Sequence, residues 1–304
     1  MAGFLGALTT AILPVFAVPA SGYVMGRRGA FDRADAEGIN RFVFSLGVPA
    51  LTFLLLVTAD ISAFDWAPVL IYLACELALY AAVALVARFA FGIEPREALL
   101  LGMTCCFTNH LFFVLPIAIS LYGAAAALPV VAIITVDSLI TFSGTVMVMD
   151  VLSHRDGGIG KVLSMLARNP LVIAIGLGGV VLLSGFPLHD GVITFLRFLG
   201  NAAAPASLFS LGVIMSSVPL ARFGGATLGA VAVKVAVMPL VLFWAFMAIG
   251  VSGSWNDIMI LTAAGPCGAM PFVIALKYGV ATDRIAAAII VSTVISIFTL
   301  AALA

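Results

Sequence analysis

The stretch Thr108-Asn109-His110-Leu111-Phe112-Phe113-Val114-Leu115-Pro116 lies in the middle of an apolar segment running from about residue 98 to 122. A helix that crosses a bilayer should be continuous, yet here an amide and, seven residues later, a proline occupy the middle of the segment. Such a break leaves backbone N–H and C=O groups without helical partners. Hydrocarbon cannot satisfy them, so the break must line a cavity or be packed in protein. The second half of the chain repeats the anomaly. Gly265-Pro266-Cys267-Gly268-Ala269-Met270-Pro271 interrupts an apolar segment spanning 258 to 278, and both segments close on Tyr-Gly, at Tyr122-Gly123 and Tyr278-Gly279. Paired Gly/Pro interruptions in corresponding halves point to the binding site of a transporter.

The composition agrees. Of 304 residues, 63% are hydrophobic and 9% charged, with a mean hydropathy of +1.25; a soluble domain carries about 25% charged residues. The chain reads as an integral membrane protein. Zero net charge argues against a nucleic-acid partner, and no long polar block suggests a separate soluble domain. No phosphate-cradling Gly-Lys-Ser/Thr run or H-E-x-x-H pattern occurs, so neither an ATP-driven pump nor a zinc site is expected. His110, His154 and His189 are scattered, and Cys75, Cys105, Cys106 and Cys267 lie in apolar segments without C-x-x-C spacing, as small core residues do. No cofactor is expected. The N-terminus has no Lys or Arg before its apolar run and reads as a retained first helix rather than a signal peptide.

At about 20 residues per span, the sequence divides into ten segments, roughly 8–26, 38–58, 66–91, 98–121, 127–151, 169–185, 191–215, 225–250, 257–279 and 283–303. Twelve of the fourteen basic residues fall in alternate loops or at their helix edges: Arg27, Arg28, Arg33, Arg41, Arg88, Arg96, Arg155, Lys161, Arg168, Arg222, Lys277 and Arg284. Lys and Arg concentrate on the cytoplasmic side, which predicts a multi-pass inner-membrane protein with both termini on the non-cytoplasmic side.

The two exceptions, Arg197 and Lys234, fall inside spans and are clarified by an internal repeat. At one constant offset of 156 residues, Pro14 matches Pro170, Arg41-Phe42 with Pro49 matches Arg197-Phe198 with Pro205, and Tyr122-Gly123 matches Tyr278-Gly279. Five spans per half is an odd number, so the second half enters the membrane with opposite polarity. The expected fold is all-α, with ten transmembrane helices as two inverted five-helix repeats, residues 1–148 and 157–304, and broken, crossing helices four and nine. Inversion carries Arg197 near the outer membrane edge, where it and Arg41 can snorkel to head groups.

Ionisable groups inside a span are functional candidates when a partner can be named. Glu76 in span three, Asp137 in span five and Lys234 in span eight qualify, and Glu76 shifted by 156 lands two residues from Lys234. Burial disfavours a carboxylate's charged form and a nearby cation favours it, so Glu76 beside Lys234 can be set to take up and give back a proton. A static ion pair that fixes packing is the competing reading. At the breaks, Pro116 and Pro271 suit the first turns of the helices that follow. Two helix starts facing one point make a carboxylate site without a fixed cation. Thr108, Asn109, Gly265, Pro266, Cys267 and Gly268 complete the candidate substrate site, with Asn109 either touching the ligand or capping the preceding half-helix. His110 either shuttles protons or hydrogen-bonds a neighbouring helix. Phe107, Phe112 and Phe113 read as packing more than as a stacking platform.

The Asn109-x-x-Phe112-x-x-Leu115-Pro116 break, the Lys234-x-x-x-x-Pro239 spacing and the Pro266 to Tyr278-Gly279 segment resemble the auxin efflux carrier family over essentially the whole chain. That family includes plant auxin exporters and bacterial malonate or malate permeases, and is related to the bile-acid sodium symporters. The resemblance implies a transport domain from spans three to five and eight to ten moving against a scaffold from spans one, two, six and seven, which often dimerises. It also implies a substrate beside the crossing. Two departures stand out: His110 follows the Asn where many members carry a small hydroxyl or Gly, and the long cytoplasmic loop of the plant exporters is missing. The expectation is therefore a secondary transporter of a small organic anion, a mono- or dicarboxylate such as malonate or malate, coupled to a proton or sodium ion and working among membrane lipids. An exporter of auxin-like aromatic acids is the alternative within transport; an intramembrane enzyme is the alternative from another class, though the acids it would need are isolated along the chain.

Overall fold

The computed structural model of the chain describes residues 2–153, 159–217 and 224–304, and every regular element among them is helical. Among the described residues, seven helices are long and apolar enough to cross a membrane: α1 (Leu5–Arg27), α2 (Arg33–Val57), α3 (Trp66–Phe89), α6 (Ala124–Leu152), α9 (Asp190–Ser217), α10 (Gly225–Ile249) and α13 (Asp283–Leu303). Shorter helices fill the intervals: α4 (Pro95–Cys106), α5 (His110–Tyr122), α7 (Ile159–Ala167), α8 (Pro170–Ser184), α11 (Ser254–Ala263) and α12 (Met270–Tyr278). The expected fourth and ninth spans are thus each two helices, α4 with α5 and α11 with α12. The expected sixth is the fifteen-residue α8. Arg155 and Arg222 of the orientation argument, His154, and the boundary residue 157 lie outside the described residues.

Local chemistry sets the ends. Asp32 opens α2 with a reciprocal capping box to Asp35, and Asp65 and Asn169 cap α3 and α8. Gly123, Gly250 and Gly279 stop α5, α10 and α12 at positive φ, which only glycine adopts freely.

Four helices widen to π geometry just ahead of a proline: Leu8–Ile12 before Pro14, Val43–Gly47 before Pro49, His110–Val114 before Pro116, and Val233–Val237 before Pro239. Proline removes one backbone donor and its ring crowds the carbonyl of the preceding turn; a wider turn makes room for the ring without breaking the helix. Pro116 lies in the first turn of the α-helical part of α5, Leu115–Tyr122, and Pro271 in the first turn of α12; the π segment His110–Val114 carries α5 back to His110 ahead of that turn. A fifth π segment, Asp137–Phe142, has no proline after it.

Two large cores result, with a small satellite at Val231, Val235 and Ala288. One gathers α3, α4, α6 and α10 to α13; the other packs α1, α2 and α9 against α5, the first half of α6 and parts of α11 and α13. Close helix crossings depend on missing side chains. A Cβ on Gly22 of α1 would strike the Phe209 backbone of α9, and one on Gly212 of α9 would strike the Pro19 carbonyl of α1. Gly102 lets α4 approach Tyr80 of α3 in the same way. Replacing Gly212 by Leu is expected to lower stability in detergent by about 1–3 kcal/mol, since the obstacle is backbone. Gly176→Ala, in open space on α8, should stay within about 0.5 kcal/mol of wild type; thermal unfolding of the two purified variants checks the contrast.

Candidate functional site at the helix crossing

Where α4 and α11 stop, the backbones of residues 107–109 and 266–268 run antiparallel past each other. The Gly268 N–H donates to the Phe107 carbonyl at 2.7 Å, the Asn109 N–H donates to the Pro266 carbonyl at 2.9 Å, and Thr108 faces Cys267. The Cys267 N–H donates to Ser292 Oγ of α13 at 3.1 Å. Each broken segment therefore supplies the partners that the other lost, which answers the problem of unpaired backbone in a membrane interior. The glycines make this approach possible: a Cβ on Gly268 would run into the Phe107 ring and the Thr108 carbonyl, and one on Gly265 into Val114 and Thr108.

Lys234, in the π segment of α10, closes the crossing from one side. Its fully buried ammonium donates to the Ala263 carbonyl at 2.7 Å, to the Cys106 carbonyl at 3.4 Å and to Thr108 Oγ1. Cys106 and Ala263 are the last residues of α4 and α11. Each helix end carries roughly half a negative charge, so one ammonium balances two of them.

Behind the crossing, the carboxyls of Glu76 on α3 and Asp137 on α6 face each other, both buried, and Thr141 adjoins Glu76. Among the described residues, none of the four carboxyl oxygens, nor Thr141 Oγ1, makes a hydrogen bond of good geometry. The expected pairing of Glu76 with Lys234 is not direct: the ammonium spends its donors on the crossing and acts on both acids across space. His110 Nε2 reaches Asp137 Oδ2 at 3.4 Å and the Tyr72 hydroxyl at 3.4 Å. His110, Asp137 and Lys234 all sit in π segments, a winding frequent at functional sites.

The predicted substrate residues Thr108, Asn109, His110, Gly265, Pro266, Cys267 and Gly268 come together here and are buried, while Pro116 and Pro271 lie further along α5 and α12. Asn109 is 9% exposed; its side chain caps neither neighbouring helix and makes no hydrogen bond among the described residues. Phe113 packs on Phe16 and Phe112 on Phe44, so neither forms a ligand platform. Three members were missed: Tyr72 and Thr141 around the carboxyls and Ser292 at the crossing. The signal for two of them is helical spacing, since Tyr72 precedes Glu76 and Thr141 follows Asp137 by four residues, which puts each pair on one face. Ser292 carries no such mark.

Lys234→Met should destabilise the protein by about 3–5 kcal/mol, because two helix ends and two acids lose their buried counter-charge. The double variant Lys234→Met/Glu76→Gln should regain part of that loss in detergent unfolding. A single variant as stable as wild type would show that the ammonium does not hold the crossing together.

Comparison with known proteins places this geometry in context. A family model described as membrane transport protein matches residues 7–155 and 159–304. A Rhizobium meliloti (strain 1021) protein named "Putative malonate transporter" is 24% identical over 305 residues, covering 97% of this chain and 94% of its own length. An "Uncharacterized transporter" of Methanothermobacter thermautotrophicus is 26% identical, covering 98% of this chain and 97% of its own. A rice protein named "Probable auxin efflux carrier component 1c" is 31% identical over 114 residues, 37% of this chain and 19% of its own length. The chain belongs to the membrane transport protein family, the auxin efflux carrier family, and is a membrane transporter rather than an enzyme.

Proposed function

We propose that the protein is a secondary active carrier of a small mono- or dicarboxylate, malonate or malate in kind, working by alternating access in an inner membrane. The observation that carries this reading is the Asn109 amide, nearly buried and without a hydrogen-bond partner among the described residues, at the point where α5 starts and beside the segment that leads into α12. Helix starts present free N–H donors and partial positive charge, which suits a carboxylate. The name of the Rhizobium relative agrees with that substrate class.

The carrier is built from inverted repeats, residues 1–148 and 157–304, giving ten membrane passages. The constant offset of 156 residues supports this, as does the matching split of α4/α5 and α11/α12. The core of α3, α4, α6 and α10–α13, together with α5, forms the moving unit, and α1, α2, α8 and α9 the scaffold through which two copies pair. The packing of α9 on α1 and of α8 on α2 supports that division. Both termini face away from the cytoplasm, as the alternation of basic loops favours. Glu76, Asp137 and Lys234 couple carriage to a proton or sodium gradient; adjoining buried carboxyls act as one unit in taking up a cation or proton.

Proteoliposome uptake of labelled malonate, malate and indole-3-acetate under imposed pH or sodium gradients tests the reading. Malonate or malate should accumulate, Asn109→Ala should cut substrate affinity at least tenfold, and Glu76→Gln should flatten the gradient response. If no carboxylate moves and Asn109→Ala changes no affinity, the assignment fails. A Glu76→Gln protein that keeps its full response removes Glu76 from coupling.

A further inference from the structure

His110 is the group that physically joins the two halves of the site. It is 4% exposed, follows Asn109 directly, and opens the π segment of α5. One atom, Nε2, lies 3.4 Å from Asp137 Oδ2 and 3.4 Å from the Tyr72 hydroxyl. The ionisable groups around it are Tyr72 and Glu76 from α3, Asp137 from α6 and Lys234 from α10. Helices α9 and α11 also pack on this part of α5, but their ionisable residues, Asp190, Arg197 and Asp257, sit in the first one or two turns of those helices. Asp137 thus has a nitrogen that binds protons within 3.4 Å. Hard metal cations take oxygen ligands instead, and the Lys234 ammonium already fills the carbonyl ends of the broken helices, where a transported cation would otherwise bind.

We infer that His110 relays a proton between the Glu76–Asp137 pair and the substrate position, and that the ion coupled to carriage is a proton. The inference rests on the carboxylate reading above. With the anion absent, the ring is neutral, carries its hydrogen on Nδ1, and accepts at Nε2 from the Tyr72 or Asp137 hydroxyl. When a carboxylate binds beside Asn109, its negative charge favours a positive ring one residue away. The O–H bond at Asp137 Oδ2 breaks with the electron pair left on oxygen, and the Nε2 lone pair takes the proton. An imidazolium then lies between the Asp137 carboxylate and the bound anion. The Glu76–Asp137 pair then draws one replacement proton from the medium, so each anion bound adds one proton to the protein. When the anion departs, the ring returns its proton to Asp137 and the pair gives up the extra one to the side that the site then faces, so one anion and one proton travel together.

The test is proton uptake by purified protein in weak buffer, followed with an indicator dye as malonate is added. Wild type should take up about one proton per malonate bound. His110→Gln should lose that uptake and lose pH-driven accumulation in proteoliposomes at least tenfold. Should the substitution prevent folding, infrared spectra of labelled histidine in a His154→Gln/His189→Gln protein give the same answer: malonate should convert the remaining ring from neutral to imidazolium. A ring that stays neutral while malonate binds, or a His110→Gln protein with full pH-driven accumulation, overturns the relay alone. A wild-type protein that binds no carboxylate overturns the carrier reading and the relay with it.

Discussion

The structure depends on how four interrupted helices satisfy their backbone groups away from water. An ordinary membrane helix pairs its own carbonyls with its own N–H groups; α4 and α11 stop short, and their last carbonyls have no donor further along the chain. Two devices supply it. The extended residues pair with one another through Phe107, Asn109, Pro266 and Gly268, and the Lys234 ammonium fills the two carbonyl ends. Both are mutual: if either broken segment left, the other would be unpaired. That is why a lysine with no exposed surface is retained in an apolar span, where its desolvation costs several kcal/mol.

The remaining buried charges follow from that lysine. One ammonium is shared between two helix ends and two acids, and among the described residues the carboxyl oxygens of Glu76 and Asp137 make no hydrogen bond of good geometry. A static packing pair would be expected to satisfy its oxygens. An incompletely satisfied polar cluster, set against the one imidazole in the site, is what a group that exchanges protons requires, and it favours the coupling reading over the structural one. The geometry also gives the π turns a use: His110, Asp137 and Lys234 each sit where the helix is widened.

Much of this was legible in the sequence because membrane chemistry restricts it so strongly. Asn109, Pro116 and Gly265-Pro266 stand out against leucine and alanine, and Glu76, Asp137 and Lys234 against everything around them. Residue type alone was enough to mark them. What stayed hidden was direction. The spacing suggested that Lys234 would meet Glu76, but the ammonium turns to carbonyls that exist as acceptors only because the helices break. Pro116 opens the α-helical part of α5 as proline favours, but nothing in the sequence marked the π segment that carries the helix back to His110. Gly265 and Gly268 were read as room for a ligand, and the room is first taken up by the other segment. Tyr72 and Thr141 needed only the four-residue rule applied outward from the acids; Ser292, joined to Cys267 from the next helix but one, had no local signature.

The widened turns ahead of Pro14, Pro49, Pro116 and Pro239 have a consequence for kinship. Each π turn holds one residue more than a plain α path, so everything after it is rotated by about 100° relative to an uninterrupted wheel. A cousin that had lost one of these prolines and rewound as simple α-helix would keep the same outward face only by deleting a single amino acid in mid-membrane. Alignments that forbid gaps inside hydrophobic segments would then match the wrong faces and understate how closely such cousins are related.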